Sequence, residues 1–154
     1  MKVIENYLPE SQIDDLINYH KNNFDSKIHE IHRKTEVIEC TPNIRMFMDI
    51  AVNLNNLIKS INKNYMINYI KLVKWPCGEF QGKHLDFDYH PYTTIIYLND
   101  DFEGGETIVG EETVTPKKNK LVGFNGNKIV HEVTKIKKGT RYTLACWYKN
   151  ENAI

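Results

Sequence analysis

What the 154-residue chain lacks first is a net charge: 20 Lys and Arg stand against 20 Asp and Glu. A balanced chain has no overall field to hold it on a nucleic-acid backbone or an anionic membrane, so neither is expected as a partner. It also lacks paired cysteines. Cys40, Cys77 and Cys146 are odd in number and form no CxxC, which argues against a disulfide framework or a thiolate zinc site. Long hydrophobic runs are missing too. The opening MKVIENYLPE has no apolar stretch of the signal-peptide kind, and no segment approaches membrane-spanning length. With no repeat, low-complexity tract or linker, residues 1–154 read as a single domain. It is expected in the cytoplasm as a monomer or weak homo-oligomer. At 41% hydrophobic and 26% charged residues, the chain has enough apolar material for one core.

Two helices are expected before the strands begin. Residues 10–23 keep helical spacing through Ile13, Leu16, Ile17 and His20, with Ser11 and Asp14 placed as a capping box. Ile50, Leu54, Leu57, Ile58, Ile61 and Tyr65 form one stripe, which predicts a second helix over 50–65. Residues 25–48 are weakly patterned. His29 and His32, in the sequence HEIH, lack the spacing that puts two histidines on one helical face, and they read as part of a solvated loop. From Asn68 onward the texture changes to about eight short strand-like pieces, among them NYIKLVKW, TTIIYL, KLVGF and TRYTLACWY. Asn125-Gly126, between KLVGF and KIVHEVT, predicts a hairpin. The expectation is a mainly β sandwich or jelly roll (core about 67–150), buttressed by N-terminal helices within about 1–66.

The stretch KWPCGEFQGKHLDFDYH carries the chemistry. His84 and Asp86 lie two apart, so on an extended strand both would project to one side. An imidazole and a carboxylate there supply two ligands for a metal, and one more histidine completes a set suited to Fe(II) with open positions. His131, in KIVHEV, is the distal candidate. H-x-D alone occurs often by chance, and a surface His84 hydrogen-bonded to Asp86 is the plain alternative. Asp88 and His90 lie close enough to compete for a role at the metal. Arginine strengthens the case because it is rare, with three against seventeen lysines. Arg141 alternates with Thr143, Ala145 and Trp147 on one face of the last strand. A guanidinium among such neighbours is costly unless an anion pairs with it, and its planar fork matches a carboxylate. The remaining cysteines, Cys77 and Cys146, are expected to be inert buried thiols.

Taken in order, HLD, IIYLNDDFEGGET, HEV and GTRYTLACWY resemble the Fe(II)/2-oxoglutarate-dependent dioxygenases of the prolyl 4-hydroxylase type. The resemblance runs from about Tyr69 to Tyr148 and is strongest toward the hypoxia-factor prolyl hydroxylases. It implies a double-stranded β-helix, the jelly-roll core of cupin-like proteins. It also implies His84, Asp86 and His131 as the iron ligands and Arg141 as the residue holding the distal carboxylate of 2-oxoglutarate. Tyr97 matches a tyrosine that assists at that carboxylate, Thr93 shares its strand face, and Trp147 matches a cavity tryptophan. Trp75 stands where relatives often have a tyrosine. Two positions depart from the pattern: Gln81 replaces a tyrosine common before the first histidine, and Ala145 replaces a threonine of the last strand.

The implied activity uses Fe(II), 2-oxoglutarate and O2, with ascorbate as a further expected cofactor, to hydroxylate an unactivated C–H and release succinate and CO2. A prolyl residue in a peptide or protein is the first expected substrate. A lysyl residue or free amino acid is the alternative within the superfamily, and an alkylated nucleobase ranks last. A catalytically silent cupin-like binding module is the alternative outside it.

Overall fold

The computed structural model describes residues 1–152. A short strand β1 (Lys2–Ile4) leads into helix α1 (Glu10–Asn23). A hairpin of β2 (Glu30–His32) and β3 (Thr35–Glu39) precedes helix α2 (Arg45–Ile61). The long strand β4 (Tyr65–Trp75) then opens the β-rich part, followed by β5 (Gln81–His84) and β6 (Tyr92–Tyr97). Four short strands come next: β7 (Glu103–Gly104), β8 (Thr107–Val109), β9 (Glu112–Val114) and β10 (Leu121–Phe124). The last three are β11 (His131–Val133), β12 (Ile136–Lys138) and β13 (Arg141–Asn150).

Eleven of these strands make a seven-stranded sheet in the order β1-β10-β6-β13-β4-β3-β2, which faces a four-stranded sheet in the order β5-β11-β8-β9, while β7 and β12 pair with each other. All their pairings are antiparallel. This is the expected mainly β jelly roll, with both helices against the outer face of the larger sheet. Among the described residues, no helix is long and apolar enough to cross a membrane.

Strand period decides what each face carries. On β13, Tyr142, Leu144, Cys146 and Tyr148 point to the helices, while Arg141, Thr143, Ala145 and Trp147 line a cavity between the sheets. On β4, Ile70 and Leu72 face the helices, and Tyr69, Val73 and Trp75 face the cavity. The helices meet the sheet through single stripes, Ile13 and Leu16 on α1 and Phe47, Ile50, Leu54 and Ile58 on α2.

Several expectations are corrected. The second helix begins five residues earlier, at Arg45, because Phe47 continues the buried stripe. It ends at Ile61, where Asn62 turns extended and its side chain accepts a hydrogen bond from Asn64 N. Tyr65 therefore starts a strand. No side chain caps α1, whose N-cap is Pro9, so Ser11 and Asp14 make no capping box. The stretch up to 66 is not helical alone, since β1, β2 and β3 all join the large sheet. His32 does not sit in a plain loop: it ends β2, an edge strand, and reaches the cavity lining, whereas His29 lies in the bend before that strand. Asn125-Gly126 does not close a hairpin either. Strand β10 pairs with β1 and β6, whereas β11 pairs with β5 and β8 in the other sheet. The turn is real, with Lys128 N and Ile129 N both donating to Asn125 O, but it carries the chain from one sheet to the other. Cys77 is exposed, not buried.

The N-terminal segment is fastened by Asn119, a buried residue with φ of 65°. Its side chain accepts from Leu8 N at 2.9 Å and donates to Leu8 O at 2.6 Å, imitating a strand partner. Asn119→Ala would leave both Leu8 groups unpaired. The expected loss of unfolding free energy is about 2 kcal/mol. It should appear as a lower urea midpoint at an unchanged slope.

Candidate active site

Three side chains converge at one end of the cavity. His84 closes β5 and His131 opens β11, directly opposite in the ladder. Each ring donates its Nδ1–H to the carbonyl two residues earlier, Gly82 for His84 and Ile129 for His131, both at 2.8 Å. A carbonyl can only accept, so these bonds fix the tautomer and aim both Nε2 atoms inward. Asp86 lies just past the end of β5 and not on the strand. Its position is set by its own N–H, which donates to Gly126 O at 2.9 Å. Asp86 Oδ1 stands 3.2 Å from His131 Nε2 and 3.7 Å from His84 Nε2. Thr93 donates to the other oxygen, Oδ2, at 2.6 Å and so holds the carboxylate's orientation. One ligand atom from each of the three residues lies within 4.8 Å of the other two.

Two imidazole nitrogens and one carboxylate oxygen on one side of a cavity make a donor set that fits ferrous iron with positions left open. Thr93, expected at the co-substrate, lines the cavity and donates to the Asp86 carboxylate. Asp88 is not part of the group, and His90 is not either. His90 is buried, Asn68 Nδ2 donates to its Nε2 at 2.8 Å, and burial pulls its pKa down, so it stays neutral.

Burial acts to raise the pKa of Asp86, but the hydrogen bonds from His131 and Thr93 outweigh it and hold the carboxyl below its ordinary range. Burial likewise acts to lower His131, but the hydrogen bond to Asp86 outweighs it and the imidazole sits above 6.5.

The cavity, about 360 Å³, runs from this trio to Arg141, which is 1% exposed. Arg141 Nε donates to Gly105 O at 2.9 Å and Nη2 to Thr107 Oγ1 at 3.2 Å. Its guanidinium carbon lies 4.9 Å from the centre of the Trp75 ring and 5.2 Å from that of Tyr97. None of the ion pairs among the described residues includes it. Burial lowers its pKa, with Tyr97 partly offsetting the effect. Tyr97 itself lies behind the cavity wall, where its hydroxyl is 2.5 Å from Thr107 Oγ1. It acts on Arg141 through Thr107 and through its ring. Sequence reasoning passed over Thr107, although it sits in the GGET block two residues beyond the glycine whose carbonyl Arg141 reaches. Trp147 lines the cavity, against Tyr69 at 5.2 Å between ring centres.

A family model described as the 2OG-Fe(II) oxygenase superfamily matches residues 69–149. The chain belongs to this superfamily. Human prolyl 3-hydroxylase 2 is 37% identical over 70 residues, which are 40% of this chain and 10% of that protein. Human prolyl 3-hydroxylase 3 is 37% identical over 79 residues, 46% of this chain and 11% of that protein. The matches thus span about a tenth of these curated relatives' length. Among solved structures, a Pseudomonas putida prolyl-4-hydroxylase superposes with a TM-score of 0.83 at 19% identity, covering 97% of this chain and 91% of that one. A Trichoplax adhaerens prolyl hydroxylase, in complex with a hypoxia inducible factor oxygen degradation domain peptide fragment, gives 0.80 at 20% identity, with 97% and 83% covered. A viral collagen prolyl hydroxylase from Paramecium Bursaria Chlorella virus-1, as its 2OG complex, gives 0.77 at 19% identity, with 97% and 95% covered. At such identities the likeness is one of fold.

These pKa shifts predict a pH dependence for the metal-free protein. His131 is raised above 6.5, so its contribution to stability is full below that value and is lost as pH rises through the folded pKa. Asp86 is lowered below 3.8, so its contribution holds above that value and is lost as pH falls through the folded pKa. Urea unfolding in the presence of a chelator should show the stability gap between wild type and His131→Gln shrinking from pH about 6 to about 9.

Proposed function

We propose that this oxygenase hydroxylates an unactivated C–H of a prolyl residue in a peptide or protein, using Fe(II), 2-oxoglutarate and O2. The observation that carries this reading is the pairing, in one cavity, of the His84–Asp86–His131 trio with a buried guanidinium that has no acid of its own. In this reading His84, Asp86 and His131 hold the iron. Arg141 holds the distal carboxylate of 2-oxoglutarate, with Thr107 and Tyr97 steadying it. Residues 1–154 act as one catalytic domain.

The chemistry supplied by iron, keto acid and dioxygen together is oxidative decarboxylation to succinate and CO2, coupled to insertion of an oxygen atom into a C–H bond. The protein's part is positional. The Gly82 and Ile129 carbonyls fix both imidazoles with Nε2 toward the position the metal would take, and Thr93 holds Asp86 Oδ2 so that Oδ1 faces the same position. Ile95, Phe124, Val133 and Ala145 give the cavity apolar walls that limit water around the reacting centre. Phe87 and Tyr89, stacked at 5.3 Å between ring centres and exposed near the trio, offer flat apolar surface for a prolyl ring and its neighbours. The names of the relatives, prolyl 3-hydroxylases by sequence and prolyl 4-hydroxylases among the structures, support proline as the target residue.

Incubation with Fe(II), 2-oxoglutarate and proline-containing peptides should yield succinate and a peptide heavier by one oxygen atom. Hydrolysis and chromatography then assign 3- or 4-hydroxyproline. His131→Ala should abolish iron-dependent succinate formation, and undiminished production in that variant would refute the ligand assignment. Arg141→Gln should raise the KM for 2-oxoglutarate about tenfold or more while leaving metal affinity unchanged. Hydroxylation of lysine in matched peptides, with proline untouched, would move the assignment to the lysyl alternative.

A further inference from the structure

Arg141 is not the sole unmatched donor at its end of the cavity. Trp75 pairs with it across β4 and β13, and its ring lies against the guanidinium at 4.9 Å. Trp75 lines the same cavity and is 8% exposed. Its indole Nε1–H is buried and has no hydrogen-bond partner among the described residues. Leaving a buried N–H without a partner is costly, so one kept beside an unpaired cation points to a ligand that satisfies both.

Arg141 commits two of its five N–H groups, to Gly105 and Thr107, and the rest remain for a ligand. An indole nitrogen only donates. Donors without an acid select an anionic oxygen, and a carboxylate has two oxygens to share between two neighbours.

We infer that the Trp75 indole N–H is a second donor to the anion held by Arg141, so that the far carboxylate of 2-oxoglutarate is gripped by a guanidinium and an indole together. This rests on the function proposed above. Trp75 is thereby a binding and specificity residue for the co-substrate. Its donor-only character disfavours keto acids whose tail is cationic or offers no acceptor.

The chain has two tryptophans, Trp75 and Trp147, so the test is spectroscopically simple. Protein loaded with diamagnetic Zn(II) and labelled with ¹⁵N should show two indole N–H resonances, assigned through Trp75→Phe and Trp147→Phe. Titration with 2-oxoglutarate should move the Trp75 resonance downfield. Titration with 2-oxopentanoate, which has a methyl in place of the distal carboxylate, should not. By the same titrations, Trp75→Phe should weaken 2-oxoglutarate about tenfold and leave 2-oxopentanoate unchanged.

If 2-oxoglutarate binds but the Trp75 resonance stays still, the indole is not a donor to it and the inference is wrong. The inference is equally overturned if the resonance instead moves in Glu79→Gln, because Glu79 Oε2 is a buried acceptor that also lacks a hydrogen-bond partner. If the wild type fails to bind 2-oxoglutarate at all, the functional reading falls and takes this inference with it. The wild-type titration needs no substituted protein, so it decides the matter even where Trp75→Phe folds poorly.

Discussion

The cavity depends on the register of one strand. β13 is hydrogen-bonded to β4 on one side and β6 on the other, and its side chains alternate between the helix-packed core and the cavity. Leu144, Cys146 and Tyr148 are almost completely buried beneath the helices, which forbids a one-residue slip. Such a slip would drive Arg141 into the apolar core and turn Leu144 toward the site. Packing on the far side of the sheet therefore fixes where the guanidinium stands. Near the end of the β4 pairing the register shifts, with Trp147 opposite Tyr69 and Tyr148 opposite Ile67. The extra residue is Asn68, and it donates to His90 beneath the aromatic rim. Even the irregularity in the ladder supports the cavity mouth.

That dependence explains what can be read from the sequence. Alternation is a local property, so Arg141, Thr143, Ala145 and Trp147 are legible as one face from their spacing alone. The relation of His84, Asp86 and His131 comes from spacing and motif order together. Its local rationale is incomplete, because Asp86 lies beyond the strand and owes its place to Gly126, forty residues away. What stays hidden is long-range or lacks an apolar pattern. Asn125-Gly126 has the chemistry of a hairpin turn, yet the partners of β10 and β11 are chosen by sheets assembled from distant segments. β2 is exposed at all three residues, so no alternation announces it. Asn119 reaches across 111 residues to Leu8 through side-chain amide geometry that no short-range rule detects.

Two glycines show how tightly the loops close on the site. A Cβ on Gly126 would come within 2.2 Å of Asp86 Oδ2 and 2.8 Å of Thr93 Oγ1, so the metal-facing carboxylate is packed against bare backbone. Gly105 has φ of 65°, and a Cβ there would meet Arg141 Cδ at 3.0 Å. Its carbonyl is the one that accepts from Arg141 Nε. At each end of the cavity a glycine carbonyl holds the charged residue, accepting from the backbone N–H of Asp86 at one end and from Arg141 Nε at the other. In both places the absence of a side chain sets the geometry, which is why a turn motif in the sequence can mark a binding element.

The two ends of the cavity are opposite in kind, and the walls between them are largely apolar. At one end Asp86 and the Nε2 atoms of two imidazoles form a donor set that suits a cation. At the other, Arg141 is a buried positive charge with no acid among the described residues. Bringing Asp86 to Arg141 would satisfy both by ordinary pairing, but Thr93, His131 and Gly126 hold the carboxylate where it is. Each charge is therefore left to a ligand. Their separation by an apolar channel asks for a bound metal at one end and an anionic tail at the other, joined by a short carbon chain that can also meet the metal. A keto-diacid has that shape, whereas a monocarboxylate would leave the guanidinium buried without a counter-charge at a cost of several kcal/mol. In the proposed reading the fold selects its co-substrate through a charge that it does not neutralise itself.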